Sequence, residues 1–281
     1  MSSRLSEVEK RIVTVHKLDA VISAMRGLAA ARVQEANRHL ESIRAYATTI
    51  GDAIGEALAY ATGLGLDAPL HGGEGSRLVV LFAAEQGFAG TYSDKVFQAI
   101  EPLWDETCEL VVIGDRGHVV AEERRLAIAW SAPMIAHPSQ APELATRMTD
   151  ALFRRITLEP VTRVTLVHAD PGTGGAMTIR IKELVPFDYA RFRPSERRLP
   201  PLVTLPPERL LAQLVEEHIF AELIEAVMLS FAAENEARMR AMVAAKDNVS
   251  ESLQAMIGEA RRLRQEDITQ EITELATSSL V

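Results

Sequence analysis

The stretch LFAAEQGFAGTYSD, residues 81–94, holds the first residues whose type and spacing could do chemistry. An apolar run, Leu78–Phe82, leads into a turn with Gly87 and Gly90, and Thr91, Ser93 and Asp94 follow as helix-capping types. Strand, glycine turn and helix start together aim backbone N–H groups at a phosphate, so the chemistry would be nucleotide binding. The details argue against it. A phosphate loop needs G-x-x-x-x-G-K-[ST], and here Thr91 follows Gly90 with no lysine between. A dinucleotide fingerprint needs G-x-G-x-x-G, but only Gly87-x-x-Gly90 is present, with Glu85 and Gln86 where the first glycine belongs. A carboxylate at Glu85 would also repel phosphate. The expectation is a structural turn, packed through glycine and capped by Ser93 or Asp94.

Other reactive pairs are weaker. GDRGH, residues 114–118, sets Asp115 and His118 at the end of a predicted strand, where α/β sites often lie, but a capped turn accounts for the same residues. His168 and Asp170 precede PGTGG, whose residues suit a hairpin turn. The histidines show no H-x-x-x-H or H-E-x-x-H spacing, and Cys108 is the single cysteine, so neither a zinc site nor an internal disulfide is expected. The charge runs at 122–125 and 261–264 read as solvated helix faces. No catalytic, cofactor-binding or metal-binding residue is expected.

The elements that would carry these residues are marked out by proline. All 13 prolines lie between Pro69 and Pro207, which leaves both ends of the 281-residue chain free to be helical. Leu5, Val8, Ile12, Val15, Ile22, Met25, Ala29, Val33, Ala36, Leu40, Ile43, Ala47, Ile50, Ile54 and Leu58 form one helical stripe. Ser6 and Glu9 have the spacing of a capping box, and Gly51 and Gly55 weaken the far end. That helix would be roughly 85 Å long. A second stripe runs through Leu210, Leu214, Ile219, Leu223, Val227 and Phe231, then Val249, Leu253, Ile257, Ala260 and Leu263. Thr204 reads as its cap region, with Pro206 and Pro207 in the first turn.

Helices of that length cannot fit inside a globule whose radius of gyration is about 19 Å. They bury their stripes most simply against each other, as an antiparallel coiled coil. An ordinary helical bundle packed on the middle of the chain is the alternative. The middle alternates SRLVVLFAA, YSDKVFQAIEPLW, CELVVIGDRG, HVVAEERRL, PELATRMTDALFRRI, RVTLVHADP and MTIRIKELVPF. This pattern predicts a mostly parallel sheet with helices on its faces and a final antiparallel hairpin. The predicted class is therefore α/β plus a long antiparallel coiled coil. Helices at 1–68 and 204–281 flank a Rossmann-like domain at 69–203.

Composition narrows the partners. The net charge of −9 argues against nucleic acid, because phosphate neutralisation needs an excess of Lys and Arg. Apolar residues make up 47% of the chain but aromatics only 5%, so the core must be mostly aliphatic. No run reaches the ~20 apolar residues of a membrane span, and the N-terminus shows neither a secretory signal nor a transit peptide. Work at a membrane would go through partners.

The termini carry a specific resemblance. EEHIFAEL at 216–223, AAENEARMRAM at 232–242, KDN at 246–248 and above all RQEDITQEITEL at 264–275 resemble the γ subunit of F-type ATP synthases. ISAMRGLAAARVQEA at 22–36 resembles that family's other well-marked helix. Some positions depart from the pattern. Ser278 and Ser279 stand where the family usually carries Gly-Ala, AEQGFAGTYSD replaces a loop like SDRGLCGGYN, and KDN replaces TDN. The departures suggest a divergent bacterial branch.

The resemblance implies a rotor without catalytic residues of its own. One copy would stand inside an α3β3 ring and meet the ε subunit and the membrane c-ring, at the cytoplasmic face of the bacterial inner membrane. Nucleotide and Mg²⁺ would sit on the α and β subunits, with none bound here. It also implies contact or coupling roles for Met25, Arg238, Asp247, Asn248, Ile268, Thr269, Gln270, Glu271, Ile272 and Leu275. For each of these, a plain coiled-coil surface or seam position remains open. Two other classes stay open beside the rotor: a Rossmann-like nucleotide-binding enzyme with helical arms, and an unrelated coiled-coil scaffold.

Overall fold

The computed structural model describes residues 2–63, 75–105, 107–158, 160–172, 177–193 and 202–278. In chain order these form α1 (Ser2–Gly63), β1 (Ser76–Phe82), α2 (Tyr92–Ile100), β2 (Cys108–Ile113), α3 (Asp115–Glu123) and β3 (Ile128–Ala132). Then come α4 (Ala141–Leu158), β4 (Val161–Asp170), β5 (Thr178–Val185) and α5 (Pro207–Ser278). Contacts divide the chain into two compact units, Ala31–Ala237 and Met1–Ala30 with Arg238–Val281.

The unit Ala31–Ala237 is built on one sheet of order β3-β2-β1-β4-β5. β1 pairs in parallel with β2 and β4, β2 in parallel with β3, and β4 antiparallel with β5. Parallel strands need crossovers and so carry helices on both faces, which makes the central strands apolar throughout. β1 shows this: Leu78, Val80 and Phe82 point to one face, Val79 and Leu81 to the other, and all are fully buried. The first face packs on α4 (Leu144, Met148, Leu152) and on Ala36, Leu40, Leu223, Val227 and Phe231 of the long helices. The second packs on Tyr92, Val96, Phe97 and Ile100 of α2 and Ala121 of α3. This is the predicted Rossmann-like layering. The inner stretches of α1 and α5 are part of it, because they cover sheet that would otherwise face water. Within this unit α1 and α5 run antiparallel, with Arg44 paired to Glu225 at 2.8 Å and Tyr46 donating to Glu217.

In the other unit the helices also pair antiparallel. Val8 packs with Ala260 and Leu263, flanked by Leu5, Ile12 and Met256. Glu9 meets Arg264 at 2.7 Å, and Lys246 donates to Ser23 at 2.9 Å with Asp19 at 3.9 Å. Moving forward along α1 therefore moves backward along α5. The Glu9–Arg264 pair is well exposed and contributes little energy beyond fixing register, whereas Lys246 and Asp19 are half-buried.

Several local expectations change. α1 already starts at Ser2, so Ser6 is interior and forms no capping box with Glu9. α1 also runs through Gly51 and Gly55 to Gly63. A Cβ at position 55 would lie 2.4 Å from the carbonyl oxygen of Arg193, so that glycine serves close packing there. α2 starts at Tyr92, and its N-cap Thr91 makes no side-chain capping bond; Ser93 and Asp94 sit inside the first turn rather than at the cap. α5 starts at Pro207, beyond Thr204, with Pro206 accepting from the amide of Leu210 at 3.0 Å. β3, the short IAWSA segment, was not expected from the sequence, because five residues are too few to show a strand period and Ile128 is the only β-branched residue among them. Gly174, Gly175 and Ser279 fall outside the described residues.

Candidate functional site

In a sheet of this order the chain winds from β1 outward to β3, then returns to place β4 on the other side of β1. Ligands bind such folds in the crevice at the carboxyl ends of the strands flanking that switch. The turn after β1 lies there. Glu234 of α5 also lies there, only 2% exposed. Its carboxylate accepts the backbone N–H of Glu85 at 3.1 Å and of Gln86 at 3.3 Å. The carboxylate of Glu85 in turn accepts the backbone N–H of Asp115 at 3.0 Å and of Met134 at 2.8 Å. Asp115 opens α3, so Glu85 caps that helix from across the crevice, where its own N-cap, Gly114, has no side chain to do so.

The backbone is shaped around these bonds. Gly114 sits at φ 114°, and a Cβ on it would lie 2.6 Å from the Ala83 carbonyl oxygen. Gly117 donates its N–H to Ala84 at 3.0 Å. Gly90 at φ 56° and Phe88 at φ 62° complete the turn, with the Phe88 ring 70% exposed. Burial raises the Glu85 carboxyl above its ordinary value, and the nearby Asp115 and Glu234 push the same way, while its two amide donors oppose them. The sequence pointed to Glu85 as a residue that would repel phosphate. The structure goes further: amides of the kind that cradle phosphate in related folds already hold the chain's own carboxylates.

The other candidate pairs do not assemble a reactive centre. His118 lies 3.3 Å from Glu122, one turn on, rather than against Asp115. His168 is buried beside the Ala169 carbonyl at 3.3 Å, and burial lowers its pKa. Asp170 accepts from the amide of Gly172 at 2.9 Å and pairs with Arg180 at 3.2 Å, closing the start of the hairpin loop. Among the described residues no group of three His, Cys, Asp or Glu side chains could hold a metal.

Ile268, Thr269, Gln270, Glu271, Ile272 and Leu275 occupy the last turns of α5 and are all exposed. Ile268, Ile272 and Leu275, at 51%, 62% and 70% exposure, follow the i, i+4, i+7 spacing of one helix face. They lie beyond Leu263, the last α5 residue in the cluster formed with Val8. Asp247 and Asn248 are exposed, Met25 is half-buried, and Arg238 is buried. Val13, Leu18, Val21 and Leu28 of α1 are also apolar and exposed; sequence reasoning passed over them because they fall off the buried stripe.

Two further residues went unread in the sequence. Glu234 is one, and its only signal is an acid inside a run of small apolar residues, FAAENEA. Glu222 is the other. It is buried against Lys182 of β5, with His218 Nε2 at 3.1 Å and Arg191 at 3.4 Å. Phe187 and Phe192 stack 5.5 Å apart, with the His218 ring edge-on to both. Burial alone would raise the Glu222 carboxyl, but the bonds and charges of His218 and Lys182 outweigh it and hold the carboxyl at about 2.

The family model described as ATP synthase matches residues 4–279. The chain belongs to this ATP synthase family. It is 25% identical over 304 residues to the ATP synthase gamma chain of Rhodospirillum rubrum, covering 98% of each chain. It is 29% identical over 296 residues to the ATP synthase gamma chain of Frankia casuarinae, covering 98% of this chain and 96% of that one. Its fold matches the rotor of the Euglena gracilis mitochondrial ATP synthase with a TM-score of 0.68 at 13% identity, over 95% of this chain and all of that one. The γ-family membership, the Rossmann-like layer and the paired terminal helices agree with what the sequence led us to expect.

Proposed function

We propose that this γ-family chain is the central-stalk rotor of an F-type ATP synthase, coupling ion flow through a membrane sector to ATP synthesis or hydrolysis on neighbouring subunits. The observation that carries this reading is the family match over 4–279, which spans both long helices and the sheet together. The chain holds no catalytic residues. Nucleotide and Mg²⁺ belong to the α and β subunits, consistent with the Glu234 and Glu85 carboxylates occupying the crevice here.

One copy works within an α3β3 ring, with the ε subunit and the c-ring as further partners. None of the described helices is long and apolar enough to cross a membrane. In this reading attachment runs through those partners, at the cytoplasmic face of the bacterial inner membrane. Ile268, Ile272 and Leu275 form an apolar bearing surface, since apolar contacts permit turning where directional hydrogen bonds would resist it. Thr269, Gln270 and Glu271 touch catalytic-subunit loops. Met25, Arg238, Asp247 and Asn248 serve coupling along the helices. An asymmetric shaft among three similar sites favours a different state at each, by differential contact.

Co-expression tests the reading: the tagged chain is expected to bring down an α3β3 ring with ATPase activity. Recovery of the folded chain without α and β subunits would favour an unrelated scaffold.

A further inference from the structure

β3 is the outermost strand of the sheet on its side among the described residues, so its outer edge has no strand partner. Beside that edge, between β3 and α4, lies a groove of about 420 Å³ lined by Trp130, Arg147, Asp150, Ala151 and Arg154, among others. The guanidinium of Arg147 sits over the Trp130 ring at 5.8 Å. Arg155, also in the wall, is held by Glu109 through bonds of 2.9 and 2.6 Å. Neither Arg147 nor Arg154 has an ion-pair partner among the described residues, and both are exposed. On a chain of net charge −9 this is a cationic notch.

The dimensions match an added strand. From Arg147 to Leu158 the α4 face rises about 16 Å. The five residues of β3 cover about 17 Å. Ala127, Ala129 and Ser131 are exposed and small, so they leave the edge open to another backbone. Edge strands are usually blocked by charge, proline or a covering segment; β3 itself carries no charged residue and no proline.

We propose that the β3 edge and the Arg147–Arg154 face of α4 form a docking groove for an extended, acidic segment of another protein. The segment adds as a sixth strand by backbone pairing. It places one carboxylate on Arg147 and one on Arg154, with an apolar side chain between them over Ala151 and Trp130. Main-chain bonds supply affinity and the alternate side chains supply specificity, as in other strand-addition complexes. A second copy of this chain is the poorer occupant, because pairing two β3 edges would bring arginines against arginines. The proposal does not depend on the rotor reading.

The test uses the full chain and reads Trp130. Trp104 is the only other tryptophan, so Trp104→Phe leaves Trp130 as sole reporter. Fluorine NMR of the unsubstituted chain carrying fluorotryptophan gives the same readout without a substitution. The probe is a blocked seven-residue peptide with glutamate, valine and glutamate at alternate positions and threonine elsewhere. The expected result is a saturable Trp130 shift with Kd below about 1 mM. It should weaken at least about tenfold in the Arg147→Glu/Arg154→Glu double variant, weaken with salt, and vanish when the pairing edge of the peptide is N-methylated. The proposal is overturned by no saturable shift, by unchanged binding in the double variant, or by unchanged binding of peptides N-methylated on either edge. An equal Trp130 shift with inorganic phosphate alone would reduce the groove to an anion pocket and overturn it as well. A probe-independent dimer seen in sedimentation, lost in the double variant, would assign the groove to a second copy instead.

Discussion

The carboxylate of Glu234 accepts the backbone N–H of Glu85 at 3.1 Å, and that of Gln86 at 3.3 Å, from a position only 2% exposed on α5. A helix far along the chain thus supplies the anion for the turn that follows the first strand. The relationship ties the sheet to α5 by two charge-assisted bonds from a buried carboxylate to a half-exposed turn.

Removing that anion should loosen the turn first. Glu234→Ala leaves two backbone donors without their acceptor, a cost of about 1–3 kcal/mol for each group that stays dry. Glu234→Gln keeps an acceptor oxygen and should lose less. Hydrogen exchange is expected to accelerate at the Glu85 and Gln86 amides in the alanine variant. Unchanged protection there would show that the bonds are not holding the turn.

Nucleotide should find no place in the crevice. Equilibrium dialysis of the isolated chain with ATP and Mg²⁺ is expected to show no saturable binding, because the available amides already hold Glu234 and Glu85. Binding that disappears with Gly90→Val would establish a functional loop at Gly87–Gly90 and return the chain to the enzyme class.

Truncation after Arg264 should separate folding from coupling. The seam residues Val8, Ala260 and Leu263 all survive the cut, and the lost face of Ile268, Ile272 and Leu275 is exposed. Thermal unfolding is expected to change little, whereas ATP synthesis by an enzyme assembled with the truncated chain should fall. Full synthesis would remove the bearing role from this tip.

Acid should weaken the Lys182–Glu222–His218 cluster over a defined window. The Glu222 carboxyl is held at about 2 against an ordinary 4.5, so the unfolded chain takes up the proton first as pH falls. Its contribution is fully present above about pH 4.5 and is lost as pH drops toward 2, on the order of 3 kcal/mol in total. Glu222→Gln should flatten the acid limb of the stability curve in that range. It should also lower stability at neutral pH, since Lys182 and Arg191 lose their counter-charge. Parallel acid limbs in the two proteins would show that another carboxylate dominates.

A Cβ at Gly114 should not be tolerated. It would meet Ala83 and Ala84 carbonyl oxygens at 2.6 and 2.7 Å, on a backbone at φ 114°. Gly114→Ala is expected to lower the unfolding midpoint of the sheet unit by several degrees, whereas Gly87→Ala, with open space around it, should be nearly neutral. Equal midpoints for the two variants would contradict the packing described.

Much of this was legible in sequence. Proline confined to 69–207 and the stripe from Leu5 to Leu58 already marked two long helices. Leu78–Phe82, with apolar residues at every position, marked a strand buried on both faces. Short segments fared worse: β3 is too short to show a period of two, and the Ser6–Glu9 spacing mimicked a cap four residues inside α1. The capping role of Glu85 was not legible, because its bonding partners, Asp115 and Met134, lie 30 and 49 positions away.

Periodicity and spacing are local properties, and they were enough to mark the two long helices and the strands other than β3. The γ-like motifs at 22–36 and 264–275 are local too, and with them the family was readable. Pairings between distant residues depend on how the sheet is covered, which no single window of sequence encodes. Only the tertiary structure decided that Glu234 fills the crevice, that Glu85 caps α3, that Glu222 is buried against Lys182 and His218, and that the β3 edge stays open beside Arg147 and Arg154. The physical reason is that a buried charge and an unpaired edge are defined by what lies opposite them, and in this chain that is set by long-range packing.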